Sequence, residues 1–199
     1  MSRLYGPVLK KGTKGILAAT VTMLLLNSNL SAANDGTITF TGKISDVTCL
    51  VSGGTEDGAP SSSGDFTVAL DQVSTSALAT NNAVAGDKKF YISLKGQECA
   101  SGKTANILYE RAQSAAIDSV TGRLKNLVSD GSAAQNVQIA ILNHDKTALN
   151  LNNGHVSHQP KVIANNEARF DYWAQYVATG GAASAGNVQT SVVYSVAYN

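Results

Sequence analysis

The chain has 199 residues, 43% hydrophobic and 15% charged, which is enough apolar content for one globular core and too much for a disordered chain. Charged residues fall below the roughly one quarter usual in soluble domains, and Ala, Ser, Thr, Asn and Gly take their place, giving the neutral polar surface common outside the cytoplasm. The formal charge of +1 becomes −3 once Arg3, Lys10, Lys11 and Lys14 are removed with a leader, 11 basic residues then standing against 14 acidic ones, and this excludes the basic stripe that a nucleic-acid partner requires.

Residues 1–14 carry those basic groups and no acid, and Ile16 to Leu26 is apolar apart from two Thr. This is the pattern of a secretory signal peptide. As a helix the run reaches only about 17 Å at ~1.5 Å per residue, short of a hydrocarbon core of roughly 30 Å. Ser31-Ala32-Ala33 offers the small residues that a signal peptidase reads, so residues 1–33 are expected to be removed by cleavage between Ala33 and Asn34. The mature product is then expected to be soluble and exported.

The mature chain begins with a strand pattern. Ile38, Phe40, Gly42 and Ile44 alternate with Thr37, Thr39, Thr41 and Lys43. Gly42 in the middle of the apolar face costs stability unless something must approach closely there. It marks either a bulge inside the domain or a strand donated to another molecule. Gly53 to Gly64 reads as a surface loop by composition. Phe66, Val68 and Leu70 alternate next, then Ser74 to Asn82 reads as a loop or short helix, and Phe90, Ile92 and Leu94 alternate again. Ala112 to Ile117 is ambiguous. Val137, Ile139 and Ile141 form a strand, Asn143 to Lys146 a turn, Leu149 and Leu151 the returning strand, and Asn153-Gly154 the next turn. Phe170, Tyr172, Ala174 and Tyr176 precede a Gly/Ala/Ser turn from Gly180 to Gly186, and Val188, Thr190, Val192, Tyr194, Val196 and Tyr198 close the chain. Aromatic residues concentrate in these last strands, so core formation waits for the C-terminus. Short strands between Gly-, Asn- and Ser-rich turns predict a single all-β sandwich.

Cys49 and Cys99 are the only cysteines, and in an exported chain an even pair most simply forms one intramolecular disulfide. Free redox thiols need an activating cation or helix start, and neither neighbourhood supplies one clearly.

Several of these segments together resemble the chaperone-usher (type 1 pilin) family of fimbrial subunits, over essentially the whole mature chain. Gly36-Thr37-Ile38-Thr39-Phe40-Thr41-Gly42-Lys43-Ile44, followed by Asp46-Val47-Thr48-Cys49, is similar to the family's donor-strand extension running into its first cysteine. Phe90, Ile92 and Leu94 leading to Cys99 resemble its second-cysteine strand, and Asn136 to Leu142 with Thr147 to Leu151 its central hairpin. Phe170, Tyr172, Ala174 and Tyr176, then Gly186, the alternating last strand and the penultimate Tyr198, resemble its assembly signature.

The resemblance implies an incomplete immunoglobulin-like sandwich missing its last strand, with residues 34–48 as donor extension and 49–199 as the pilin domain. It implies that Ile38, Phe40 and Ile44 are plugs, that Gly42 fits where the groove floor is high, and that Val192, Tyr194, Val196 and Tyr198 form the acceptor edge, with Gly186 in the assembly signature. Implied partners are other copies of the chain or sister pilins, a periplasmic chaperone, an outer-membrane usher and a host-cell receptor. The implied location is a surface fimbria reached through the periplasm, with no cofactor.

Two alternatives compete. An enzyme would have to use His144-Asp145, or a metal on His155 and His158. His144 falls on a turn tip, no Gly-x-Ser-x-Gly elbow supplies a nucleophile, and two His without a nearby carboxylate or thiol make an incomplete metal site. A minor adaptor or adhesive subunit, binding a receptor through a loop such as Gly53 to Gly64, is the other.

Overall fold

A computed structural model describes residues 48–153 and 159–199; the expected leader, the expected donor extension up to Val47, and His155 and His158 lie outside the described residues. Eight strands form among the described residues: β1 (Leu50–Thr55), β2 (Val84–Lys95), β3 (Thr104–Tyr109), β4 (Leu124–Lys125), β5 (Val137–Leu142), β6 (Lys161–Val162), β7 (Glu167–Ala178) and β8 (Tyr194–Tyr198); β2, β5, β7 and β8 carry period-two patterns read from the sequence, and β1, β3, β4 and β6 do not. They build a five-stranded sheet in the order β1-β2-β7-β5-β4 and a three-stranded sheet β6-β3-β8, every neighbour antiparallel.

The long central pair explains the core. Phe90, Ile92 and Leu94 on β2 stand opposite Tyr172, Phe170 and Ala168 on β7, so each inward position meets another apolar one across the ladder. Phe90 and Tyr172 stack at 5.5 Å. Ala105, Ile107 and Tyr109 approach from β3, and Ile139 and Ile141 from β5, which places one core between the two sheets. On the outer face of the larger sheet Ala140, Leu142 and Val177 are buried beside Trp173. Cys49 and Cys99 form the expected disulfide, Cα–Cα 4.4 Å. It fastens the entry to β1 to the turn after β2, where the Cys99 amide donates to the Gly96 carbonyl at 2.9 Å.

Two ends of the sandwich are distinct. At the first, the β1 entry, residues 96–104, β6 and the C-terminus meet: Leu50 pairs with Lys95, Thr104 with Val162, and the Thr104 and Asn199 peptides bond to each other. At the second, the segments 74–82, 130–136 and 179–187 lace together through Ala183 N to Leu78 O, Ser184 N to Gln135 O and Asn187 N to Ser132 O.

Three sequence expectations are corrected. Gly53 and Gly54 are not loop but buried strand, because Gly53 lies under the Phe66 ring: a Cβ there would sit 2.3 Å from it. The exposed stretch begins only at Glu56. Leu151 is not on a returning strand; a single bridge at Ala148 ends the pairing with β5, and Leu151 opens a 3₁₀ turn, Leu151–Asn153, that buries it. The expected strands at 66–70 and 188–193 are extended and alternate in burial, yet form no strand ladder among the described residues. Ser74 to Asn82 contains a short helix as expected, Thr75–Leu78, capped by Ser74, and the ambiguous stretch holds a 3₁₀ turn at its start, Arg111–Gln113.

Candidate functional site: an apolar cleft with an unpaired edge

Those two unladdered segments are the walls of one cleft. Along 188–199 the odd residues bond to the body of the domain, to the segment after β4 and to β3 with the residues that follow it: Gln189 N donates to Asn126 Oδ1 (3.0 Å), Leu127 N to Gln189 O (2.8 Å), Val193 N to Ser114 Oγ (2.9 Å), Glu110 N to Val193 O (2.9 Å) and Asn199 N to Thr104 O (2.9 Å). Since N–H and C=O of alternate residues point to opposite sides of a strand, the peptides of Val188, Thr190, Val192, Tyr194, Val196 and Tyr198 face the other way. Those of Val188, Thr190 and Val192 make no hydrogen bond to any described residue. At ~3.3 Å per residue the edge from 188 to 198 is about 35 Å long.

The opposite wall is 64–70, with Phe66, Val68 and Leu70 turned inward and Asp65, Thr67 and Ala69 exposed. Its residues 66–70 make no backbone hydrogen bond to any described residue. Between the walls the floor is core itself: Phe90, Ile92, Tyr109, Ile139, Ile141 and Tyr176 line a cavity of about 680 Å³. Toward the first end of the sandwich a second lobe of about 540 Å³ runs past Thr48, Cys49, Val51, Val196 and Tyr198.

A ridge separates the lobes. The Tyr194 hydroxyl donates to the Gly64 carbonyl at 2.6 Å, and the Tyr194 and Phe66 rings meet edge to face at 6.4 Å. Phe66 is held in place by Phe90 at 6.2 Å and by the bare backbone of Gly53 beneath it. Burial, then the nearby Asp65 charge, raises the Tyr194 phenol, so it stays a neutral donor in this bridge at physiological pH. Burial also raises Tyr176 and Tyr198, and pushes Tyr109 well above the ordinary tyrosine range. The Tyr109 hydroxyl and Thr190 Oγ1 are buried without a hydrogen-bond partner among the described residues. Such a surface, apolar below and open-edged along its side, suits an added β-strand and no bond-making chemistry.

The expected acceptor residues Val192, Tyr194, Val196 and Tyr198 all line this cleft. Gly186 does not. With φ +153° it packs under 132–134, where a Cβ would lie 2.4 Å from the Ala134 amide nitrogen, and it fixes where the edge begins. Ile38, Phe40, Gly42, Ile44, Ala33 and Asn34 lie outside the described residues. His144 is exposed on the turn with Nδ1 3.2 Å from Asn143 Oδ1. The Phe66, Val68, Leu70 alternation marks a strand in the sequence but does not mark it as the opposite wall of a cleft, and Gly53, the seat of Phe66, is indistinguishable there from a turn glycine.

Comparison with known proteins gives a consistent picture. A family model described as Fimbrial protein matches residues 38–199. The chain is 38% identical to the major fimbrial subunit SMF-1 of Stenotrophomonas maltophilia, over 84% of this chain and 94% of that protein. It is 37% identical to the F17 fimbrial protein of Escherichia coli, over 92% and 95%. A solved chaperone-usher pilus structure shares the fold with a TM-score of 0.52 at 18% identity, covering 82% of this chain and 95% of that one.

Proposed function

This chain belongs to the fimbrial protein family and is a structural subunit of a surface fimbria rather than an enzyme, and from that premise we propose that it polymerises by strand exchange, residues 37–46 of one copy filling the cleft of the next. The observation that carries the proposal is the edge that no described residue pairs with. Its length of about 35 Å matches the ~33 Å that the ten residues Thr37 to Asp46 span when extended.

Chain direction favours a neighbour over self. Only Val47 separates Asp46 from Thr48, which lies at the end of the cleft where β8 finishes. A strand filling its own cleft would therefore have to run parallel to β8. A neighbour's strand is free to run antiparallel, the better-bonded ladder. In the antiparallel register that sets Ile38 beside Tyr198, Gly42 falls beside Tyr194, so the residue without a side chain crosses the ridge. Ile38, Phe40 and Ile44 then enter the lobes on either side, each burial contributing about 1.5–3 kcal/mol. Head-to-tail contact of this kind builds an open filament. On the same reading an exported subunit with its cleft open needs a temporary occupant before assembly, the role of a periplasmic chaperone, and an outer-membrane usher is the site of exchange.

Two periplasmically expressed versions test this: the chain from Cys49 onward, and the same chain with residues 35–47 joined after Asn199 through a short flexible linker. The joined form is expected to be a stable monomer and the unjoined form unstable or aggregated. Equal stability of the two by thermal unfolding and size exclusion would show the sandwich complete without that segment and overturn the reading.

A further inference from the structure

The described surface carries large apolar side chains at its two ends that the strand-exchange cleft does not use. Leu50 is 75% exposed and Val162 63% exposed at the first end, beside the entry to β1 and the C-terminus. Leu127, 47% exposed, stands at the second end, where its amide bonds the Gln189 carbonyl and the neighbouring Asn126 side chain bonds the carbonyls of Ala134 and Asn187. Around it the second end exposes the small residues Ala182, Ala185, Gly131 and Gly186, interspersed with the polar side chains of Asp130, Gln135, Asn136 and Asn187.

The strand-exchange reading, on which this inference rests, brings these ends together. A donor strand running antiparallel to β8 in that register sets Asp46 beside Thr190, at the approach to the second end of the acceptor. Its own domain then begins within two residues, since only Val47 lies between Asp46 and Thr48. Two residues reach about 7 Å, less than the ~10 Å that separates packed sheets, so the domains cannot stand apart. The end of the donor that must arrive there is the first end, because Thr48 and Cys49 belong to it.

We propose that the first end of each copy, through Leu50 and Val162, seats on the second end of the neighbouring copy beside Leu127, forming an end-to-end apolar contact that stiffens the filament in addition to the exchanged strand. The occupant of this surface is therefore a second copy of the same chain. The exchanged strand fixes which copies are neighbours, and the end contact fixes the angle between them. Without it, the exchanged strand alone would hold that angle.

The test uses filaments of the full chain sheared from cells, comparing wild type with Leu50→Glu, Val162→Glu and Leu127→Glu. Each site is exposed within a copy, and the melting temperature of the separated subunit checks that the fold is unchanged. Strand exchange is read from multimers that resist detergent, and stiffness from persistence length in electron micrographs. The expected result is a wild-type multimer ladder with at least a twofold fall in persistence length for the variants. An intact ladder with unchanged stiffness in all three would overturn the end contact while leaving strand exchange standing. Absence of detergent-resistant multimers in the wild type would overturn strand exchange, and this inference with it.

Discussion

Gly186 offers the most quantitative test of how the cleft edge is set. At φ +153° an alanine meets backbone strain of about 1–3 kcal/mol. Its Cβ would also lie 2.4 Å from Ala134 N and 2.7 Å from both Ala133 C and Ser132 O. All three are backbone atoms of a segment pinned by Asn187 N to Ser132 O at 2.7 Å and Ala134 N to Asn187 O at 3.0 Å, so relief requires breaking those bonds. Overpacking of this kind costs a further ~1–3 kcal/mol, for a total near 4 kcal/mol. For a domain of this size that lowers the melting temperature by about 8–16 °C. Two other glycines supply the scale. Gly180 has φ +76° but nothing within 4 Å, so Gly180→Ala pays only the left-handed conformation, roughly 1–2 kcal/mol. Gly131 has open space and no positive φ, and Gly131→Ala should be neutral or gain about 0.4–1 kcal/mol. Urea unfolding of the strand-joined monomer would rank the three. Gly186→Ala unfolding within 1 kcal/mol of Gly131→Ala would refute the packing argument, whatever the effect on assembly.

Replacing both Cys49 and Cys99 by Ala opens a loop closed over a separation of 50 residues. On the chain-entropy model this removes about 4 kcal/mol, to be seen as a fall in urea midpoint, with a steeper slope because the unfolded chain is no longer cross-linked; a change below about 1 kcal/mol would mean the bridge is a bystander. Burial raises the Tyr109 and Tyr172 phenols, so above pH ~10 the unfolded chain has released protons that the folded one keeps. Stability should therefore be level below pH 10 and fall above it by up to ~1.4 kcal/mol per pH unit for each buried phenol, which urea midpoints between pH 8 and 11.5 would record. A midpoint that stays level through that range would contradict the assignment of these rings to the core. Gly42→Leu should abolish filaments while leaving soluble, folded subunit in the periplasm, since a side chain at the ridge collides with Tyr194 and Phe66. Wild-type fibre yield would show that the ridge does not set the register.

Much of this was legible without coordinates because β-structure has a period of two. Phe90, Ile92, Leu94 and Phe170, Tyr172, Ala174 announce their strands by alternation, and the pair Cys49 and Cys99 announces its bridge once export is read from the leader. The resemblance added a site for the last strand. Alternation reports which face of a strand is buried, however, and is silent on whether its peptide groups have a partner. Val188, Thr190 and Val192 have the same pattern as Ile139 and Ile141, yet Ile139 is laddered on both sides, Ile141 lies between β7 and the Leu149 amide, and the former three face an edge that no described residue pairs with. Whether Gly53 was loop or strand turned on a contact with Phe66, which only the packed sandwich brings over it. Leu151 looked like a strand residue because a buried leucine in a 3₁₀ turn and one in a strand are alike in a local window. Local pattern thus determined strands, core faces and the disulfide pair. The cleft and its Tyr194 to Gly64 ridge arise from contacts between residues distant in the chain, and only the tertiary structure decided them.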